Sequence, residues 1–138
     1  MNWLFWSLLS AVFAAATAVL AKIGVTGVDS NLATAIRTSV IVVFTWGIAL
    51  ATSRPANIAN LSSRTWLFLT LSGIATGLSW LCYFRALQMG PASRVAPVDK
   101  LSVVFVIVLA AMFLGERLTV AKAVGGLMIA AGAIVLAW

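Results

Sequence analysis

Asp99 and Lys100 stand side by side inside a run that is otherwise built mainly from Val, Leu, Ile, Ala and Phe. A carboxylate at such a place can carry a proton or hold a cation, and an ammonium can hold an anion. Either charge is expensive at the centre of a membrane, at roughly 2.5 to 3.5 kcal/mol, so such residues usually face a bundle interior or an aqueous cavity. The pair therefore indicates where to look for function.

Other apolar runs carry polar and aromatic side chains that could line such a cavity. They are suited to a small organic solute, while the alternative interpretation is a buried structural ion pair with hydroxyls bonded to their own helices. Pro97, just before the charged pair, lacks an N–H and can kink its helix, which would free backbone carbonyls for a ligand. The further candidates are Thr34, Arg37, Thr38, Trp80, Tyr83 and Arg85.

The composition excludes several classes of protein and site. The chain has no histidine and one cysteine, so a His or Cys metal cluster and an intrachain disulfide are excluded. We find no nucleophile with a base and no phosphate loop, and we expect no enzyme, metal or cofactor. The net charge of +6 comes from Lys and Arg residues scattered singly between apolar runs, so we expect no nucleic-acid partner.

The elements that must position these residues are apolar segments of membrane length. The chain is 63% hydrophobic and 9% charged, against about 45 to 50% and 25% in soluble domains. Five segments approach the roughly 20 residues that cross a bilayer, which predicts an all-α integral membrane protein and a five-helix bundle in one domain over residues 1–138. The predicted spans are residues 3–24, 31–52, 65–88, 92–114 and 119–138.

Short connections separate the predicted spans, so neighbouring helices are expected to be antiparallel. Asp29 or Ser30 is expected to cap the second helix and Thr119 the fifth. Arg54-Pro55 is expected to stop the second span.

The basic residues are almost evenly divided between the two sides of the predicted bundle. We call the side of the first residue A and the other side B. Side A carries four Lys or Arg residues, and side B three, or five with the embedded Arg37 and Lys100. The positive-inside rule needs an asymmetry to fix one orientation. Either the chain inserts in both orientations and pairs as an antiparallel homodimer, or one extra charge and the flanking sequences fix a single orientation.

The embedded charges are predicted to share one layer near side B. At about 1.5 Å per residue, Arg37 lies roughly 10 Å and Asp99 roughly 12 Å from the helix ends on that side. Arg85 comes to a similar layer at the end of the third span. Adjacent helical residues point about 100° apart, so Asp99 and Lys100 are expected to be poor partners for each other, and Asp99 is expected to pair with Arg37 or Arg85. Lys100 is expected to reach toward the membrane surface.

The sequence resembles the EamA repeat of the drug/metabolite transporter superfamily, in its short single-repeat bacterial form. The resemblance covers essentially the whole chain, and it depends on the order of its elements rather than on any single one. The matching elements are Ala21-Lys22-Ile23-Gly24, Asp29-Ser30-Asn31, Ala86-Leu87, Gly90-Pro91, Ala96-Pro97-Val98, Gly115-Glu116-Arg117-Leu118, Gly126 and Gly132.

The resemblance implies a secondary transporter of the bacterial inner membrane. Larger members have two inverted five-helix repeats that support alternating access, and two antiparallel copies of this chain would rebuild that unit. By placement, the cavity-lining positions would be Thr17, Trp80, Tyr83, Asp99 and Lys100. Four-helix multidrug relatives carry a glutamate in the first helix, and its absence from residues 3–21 argues against a cationic drug. Three basic groups near one acid favour an anionic or zwitterionic solute instead.

The function expected from the resemblance is transport of amino-acid-like or other small organic solutes, with the lipid bilayer and a second copy or a paralogous chain as partners. Three other functions remain open: a structural or accessory membrane subunit, half of a heterodimeric transporter, and a lipid-linked sugar flippase.

Overall fold

The computed structural model describes residues 2–52 and 61–138, and the regular structure in these ranges is α-helical. Five segments of the described chain are long and apolar enough to cross a membrane, which confirms the predicted fold class. The predicted stop at Arg54-Pro55 lies outside the described residues. The helices are α1 (Trp3–Gly24), α2 (Ser30–Thr52), α3 (Ser63–Met89), α4 (Ala92–Asp99), α5 (Ser102–Phe113) and α6 (Val120–Ala137).

Two predicted helix caps are confirmed. Oδ1 of Asp29 accepts hydrogen bonds from the backbone N–H groups of Asn31 and Leu32, at 2.9 and 3.0 Å, so Asp29 caps α2. Oγ1 of Thr119 accepts from the N–H of Lys122 at 3.3 Å and caps α6. These bonds satisfy amide donors that the first turn of a helix leaves without an intrahelical acceptor.

The fourth span, Ala92–Phe113, consists of two helices rather than one, because the α-helix is interrupted at Lys100 and Leu101. Pro97, three residues earlier, has no N–H to donate to the preceding turn. At the interruption, the N–H of Leu101 donates to the carbonyl oxygen of Val98 at 3.0 Å, which is a tight 3₁₀-type bond. The interruption places the charged pair at the junction of α4 and α5.

The chain divides into two compact units, which are described separately. Unit 1 comprises the chain up to Ile23 together with Met89–Trp138, and it contains α1, α4, α5 and α6. Unit 2 is Gly24–Gln88, and it contains α2 and nearly all of α3. That the two units form one transmembrane domain stays a prediction.

In unit 1, both halves of the fourth span pack against α6. Gly126 of α6 is buried, and a methyl group added to it would meet Cδ1 of Ile107 at 3.6 Å. Ala110 and Ala133 are buried as well. Small residues let helices approach closely in a membrane, where the lipid tails are as apolar as leucine. These small residues therefore take part in packing within the unit.

A hydrogen bond closes one end of each unit. In unit 1, Nζ of Lys22 at the end of α1 donates to the carbonyl oxygen of Gly90 at 2.9 Å. In unit 2, Nε2 of Gln88 donates to the carbonyl oxygen of Val28 just before α2. Leu87 next to it is fully buried. The Gln88 bond places the end of α3 beside the start of α2.

Apolar side chains are exposed along all five membrane-length segments. Val43 of α2, Phe113 of α5 and Val135 of α6 are each about three-quarters exposed. Soluble monomers rarely expose apolar patches larger than a few hundred Å². Such surfaces are stable in contact with lipid tails.

Candidate functional site

Asp99 and Lys100 form an ion pair with each other at the junction of α4 and α5. Nζ of Lys100 lies 3.2 Å from Oδ2 of Asp99. The prediction that they are poor partners for each other is therefore wrong. The 100° separation describes side-chain directions in a continuous helix, whereas α4 ends at Asp99 and Lys100 has a ψ of −7°. The four rotatable bonds of the lysine stem then let the ammonium reach its neighbour.

The charged pair remains accessible at this junction. The Asp99 side chain is 35% exposed and the Lys100 side chain 57%. An ion pair with this exposure is held weakly. The half-buried Thr17 of α1 belongs to the same unit. The predicted layer that also includes Arg37 and Arg85 involves both units and stays a prediction.

Arg37 of α2 is stacked on aromatic rings of α3 within unit 2. Its guanidinium carbon lies 4.2 Å from the ring centroid of Trp80 and 5.5 Å from that of Phe84. Both distances are within the roughly 6 Å at which the π face of an aromatic ring attracts a cation. Tyr83 of α3 is close enough to interact electrostatically with Arg37. The structure thus brings together three of the predicted site residues, namely Arg37, Trp80 and Tyr83.

Phe84 is a member of this cluster that sequence reasoning missed. It is 3% exposed, and it follows Trp80 by four residues, so both rings lie on one face of α3. That spacing is the signal that could have found it. The pairing with Arg37 also depends on how far α2 and α3 are displaced along each other, which no spacing within one helix reveals.

The two threonines beside Arg37 donate to their own helix. Oγ1 of Thr34 donates to the carbonyl oxygen of Ser30, and Oγ1 of Thr38 to that of Thr34, each at 2.8 Å. Thr34 is buried, whereas Thr38 is partly exposed. A hydroxyl that donates to its own helix can still accept a hydrogen bond, so the part-exposed Thr38 keeps its acceptor capacity.

Arg85 belongs to the end of α3 rather than to the aromatic cluster. Its Nη1 donates to Oε1 of Gln88 at 3.2 Å, and it is exposed. Gln88 donates in turn to Val28, so Arg85 supports the side chain that closes this end of unit 2.

The third acidic residue of the protein, Glu116, lies in the turn between α5 and α6. Its Oε2 is 2.8 Å from Nζ of Lys122, and both side chains are about half exposed. Gly115 before it has a φ of +68°, and the N–H of Glu116 donates to the carbonyl oxygen of Ala110 at 3.2 Å. Glu116 is thus a turn residue. Among the described residues, no group of three or more His, Cys, Asp or Glu could hold a metal ion.

The five apolar membrane-length segments define a multi-pass integral membrane protein. The chain belongs to the EamA-like transporter family, whose model matches residues 1–138. It is also 54% identical over 136 residues to a protein of Sinorhizobium sp described as "Uncharacterized transporter in cobO 3'region", covering 99% of this chain and 96% of the relative. No solved structure matches the chain significantly. The family match and the five apolar helices show that the chain is a single EamA repeat in a lipid bilayer, and the family indicates a transporter of small solutes.

Proposed function

We propose that this protein transports amino-acid-like or other small organic solutes across the bacterial inner membrane by alternating access. The observation that carries the proposal is the interruption of the fourth span at a charged pair. Discontinuous helices near the midplane form substrate and ion sites in transporters built from inverted repeats. The description of the Sinorhizobium relative as a transporter supports the same function.

Each unit contributes its own group of residues to the proposed pathway. In unit 1 the group is Thr17, Asp99 and Lys100, with Pro97 preceding the helix break. Asp99 carries the coupling proton or holds an ammonium group of the solute, and Lys100 holds an anionic group. In unit 2 the group is Thr34, Arg37, Thr38, Trp80, Tyr83 and Arg85.

The active form in this proposal is an antiparallel homodimer of chains inserted in opposite orientations. A single repeat has to pair to rebuild an inverted-repeat transporter. The near balance of Lys and Arg between sides A and B supports insertion in both orientations. Gly73 and Gly77 give α3 a small-residue face that is open, because a methyl group added to either glycine meets no described atom within 4 Å. This face is available for close contact with a helix of the second copy.

Reporters fused to each end of the chain test this proposal. A periplasmic and a cytoplasmic reporter should both be active at the same terminus, because dual insertion places that terminus on both sides. Counterflow of labelled amino acids into proteoliposomes should accompany this result. A terminus found on one side alone would exclude the homodimer and indicate a paralogous partner chain.

A further inference from the structure

Arg37 carries a positive charge to which its own unit offers no carboxylate. Asp29 is the only acidic residue in the sequence from 24 to 88, and its Oδ1 caps the start of α2. The other two acids of the protein are engaged as well, Asp99 with Lys100 and Glu116 with Lys122. The charge of Arg37 is therefore not balanced by a carboxylate of its own unit and is stabilised there by aromatic rings.

The guanidinium carbon of Arg37 lies over the Trp80 ring, 4.2 Å from its centroid, and a guanidinium that stacks on a ring keeps the N–H donors of its edge available. The donors of an arginine lie in the plane of the group, as a fork of five N–H bonds that matches the two oxygens of a carboxylate. An arginine held by a ring therefore has its edge preorganised for an anion, and little side-chain entropy is left to lose on binding.

The guanidinium is held inside the span and does not extend toward the membrane surface. Because Gln88 bonds to Val28, the end of α3 is level with the start of α2. Arg37 lies seven residues from that end of α2, about 10 Å, and Trp80 nine residues from the end of α3, about 14 Å. The guanidinium is closer to Trp80 than to Phe84, which lies nearer the surface. An arginine side chain that extended toward the lipid headgroups would lie closer to Phe84 than to Trp80.

We propose that the edge of the Arg37 guanidinium, backed by Trp80, binds the carboxylate of the transported solute. The inference depends on the proposed transport function and deepens it by naming the substrate class, a small organic carboxylate. A charge-assisted bidentate contact of this kind is stronger than neutral hydrogen bonds, which makes it a selectivity determinant. An amide of the same shape carries no charge and offers only one good acceptor to the fork.

Binding to the full-length protein in nanodiscs tests the proposal without requiring transport. The probes are acetate, isovalerate and benzoate, each compared with its own amide by saturation-transfer NMR, with empty nanodiscs subtracted. We expect at least one carboxylate to bind about tenfold more tightly than its amide, the gain expected of a charged hydrogen bond. Arg37→Gln should reduce this ratio to near one while amide binding persists, which also shows that the variant is folded.

Arg64→Gln is the matched control. Arg64 belongs to the same unit, and its guanidinium carbon also lies over an aromatic ring, 5.8 Å from the centroid of Phe68. Unlike Arg37, it is exposed and lies at the start of α3. It should keep the full carboxylate preference. Arg37→Lys, which keeps the charge and loses the planar fork, should give an intermediate ratio, as should Trp80→Leu.

Three results would overturn the proposal. In the first, no carboxylate is preferred over its amide. In the second, the preference is the same in Arg37→Gln and in the unaltered protein. In the third, anionic phosphatidylglycerol nanodiscs abolish carboxylate binding through Arg37, which would identify a lipid phosphate as the resident anion. Failure of the transport proposal would appear instead in the reporter and counterflow experiments.

Discussion

Asp99 and Lys100 illustrate how a local helix interruption changes which residues pair. In an unbroken helix the two side chains diverge, but here the helix ends between them and they form an ion pair at 3.2 Å. The pair neutralises itself, so the membrane holds a small dipole instead of two separate charges. Opening the pair would release one positive and one negative contact at once.

Asp99→Asn should abolish uptake driven by a pH gradient in proteoliposomes, because the amide cannot carry a proton at the junction. Solute exchange without a gradient should persist, since the amide keeps a polar contact for the solute. Glu116→Gln, which removes the other ion-paired acid of unit 1, should leave proton-driven uptake unchanged. Full pH-driven uptake by Asp99→Asn would show that the proton is carried elsewhere.

At the residue scale, the sequence predicted contacts within a few residues more reliably than contacts between helices. Asp29 and Thr119 were found as caps because a cap depends on neighbours two or three positions away. The Arg37–Trp80 stack was not found, because it joins residues that are far apart in sequence. Such a contact depends on the axial displacement of two helices, and here a single hydrogen bond from Gln88 contributes to it.

Among the elements, the fourth span differs most from its simplest sequence interpretation. Residues 92–114 were predicted as one span, and the structure divides it into α4 and α5. The other predicted bounds agree with the helices to within two residues, because continuous apolar runs between turn residues define membrane helices strongly. Pro97 predicted that the helix would be disturbed in this region. It did not predict that the interruption would fall at Lys100 and Leu101.

Pro97→Ala should stabilise the protein and impair transport. The alanine restores an N–H that can donate to the carbonyl oxygen of Ser93, and it removes a ring that conflicts with the preceding turn. We expect a higher thermal unfolding temperature in detergent and slower counterflow, because a continuous helix would reposition the charged pair.

Pro91→Ala is the control for this change, since Pro91 precedes α4 as its N-cap residue and donates to no helical turn. It should leave counterflow close to that of the unaltered protein. A Pro97→Ala protein that transports at the normal rate would show that the break serves folding alone.

The turn between α5 and α6 needs a glycine at position 115. Gly115 has a φ of +68°, where a side chain costs about 1 kcal/mol or more. Gly115→Ala should therefore lower the free energy of unfolding by about that amount, as measured by denaturation in mixed micelles. Gly125→Ala, inside α6 with no described atom near the added methyl group, should be neutral or stabilising. Equal stability of the two variants would contradict the argument.

On the scale of the whole molecule, the decisive property is the balance of charge between the two sides. In the proposed antiparallel dimer each copy pairs with one of the opposite orientation, and a chain with almost no charge bias could supply both orientations itself. The sequence predicted this balance by counting Lys and Arg residues. Pairing itself involves surfaces on two molecules, which the pattern of one chain leaves undetermined.

Two oppositely biased variants should each be inactive alone and active together. Asn2→Lys with Leu61→Lys adds charge to side A, and Asn31→Lys with Met89→Lys adds charge to side B. Each variant should insert in one orientation, because added positive charges remain in the cytoplasm. Uptake should be lost for either variant by itself and regained when both are expressed in one cell. Activity of a singly expressed variant would exclude the antiparallel pair.

The bond from Lys22 to Gly90 has a consequence for the chemical reactivity of the protein. The chain contains three lysines, Lys22, Lys100 and Lys122. Among the described residues, Lys22 is the one whose amine donates to a backbone carbonyl, that of Gly90. An amine that is bonded and part-buried reacts slowly with acylating reagents, whereas the amine of an exposed lysine reacts readily. The rate at which Lys22 is acylated therefore reports how often this end of unit 1 opens, without any introduced label.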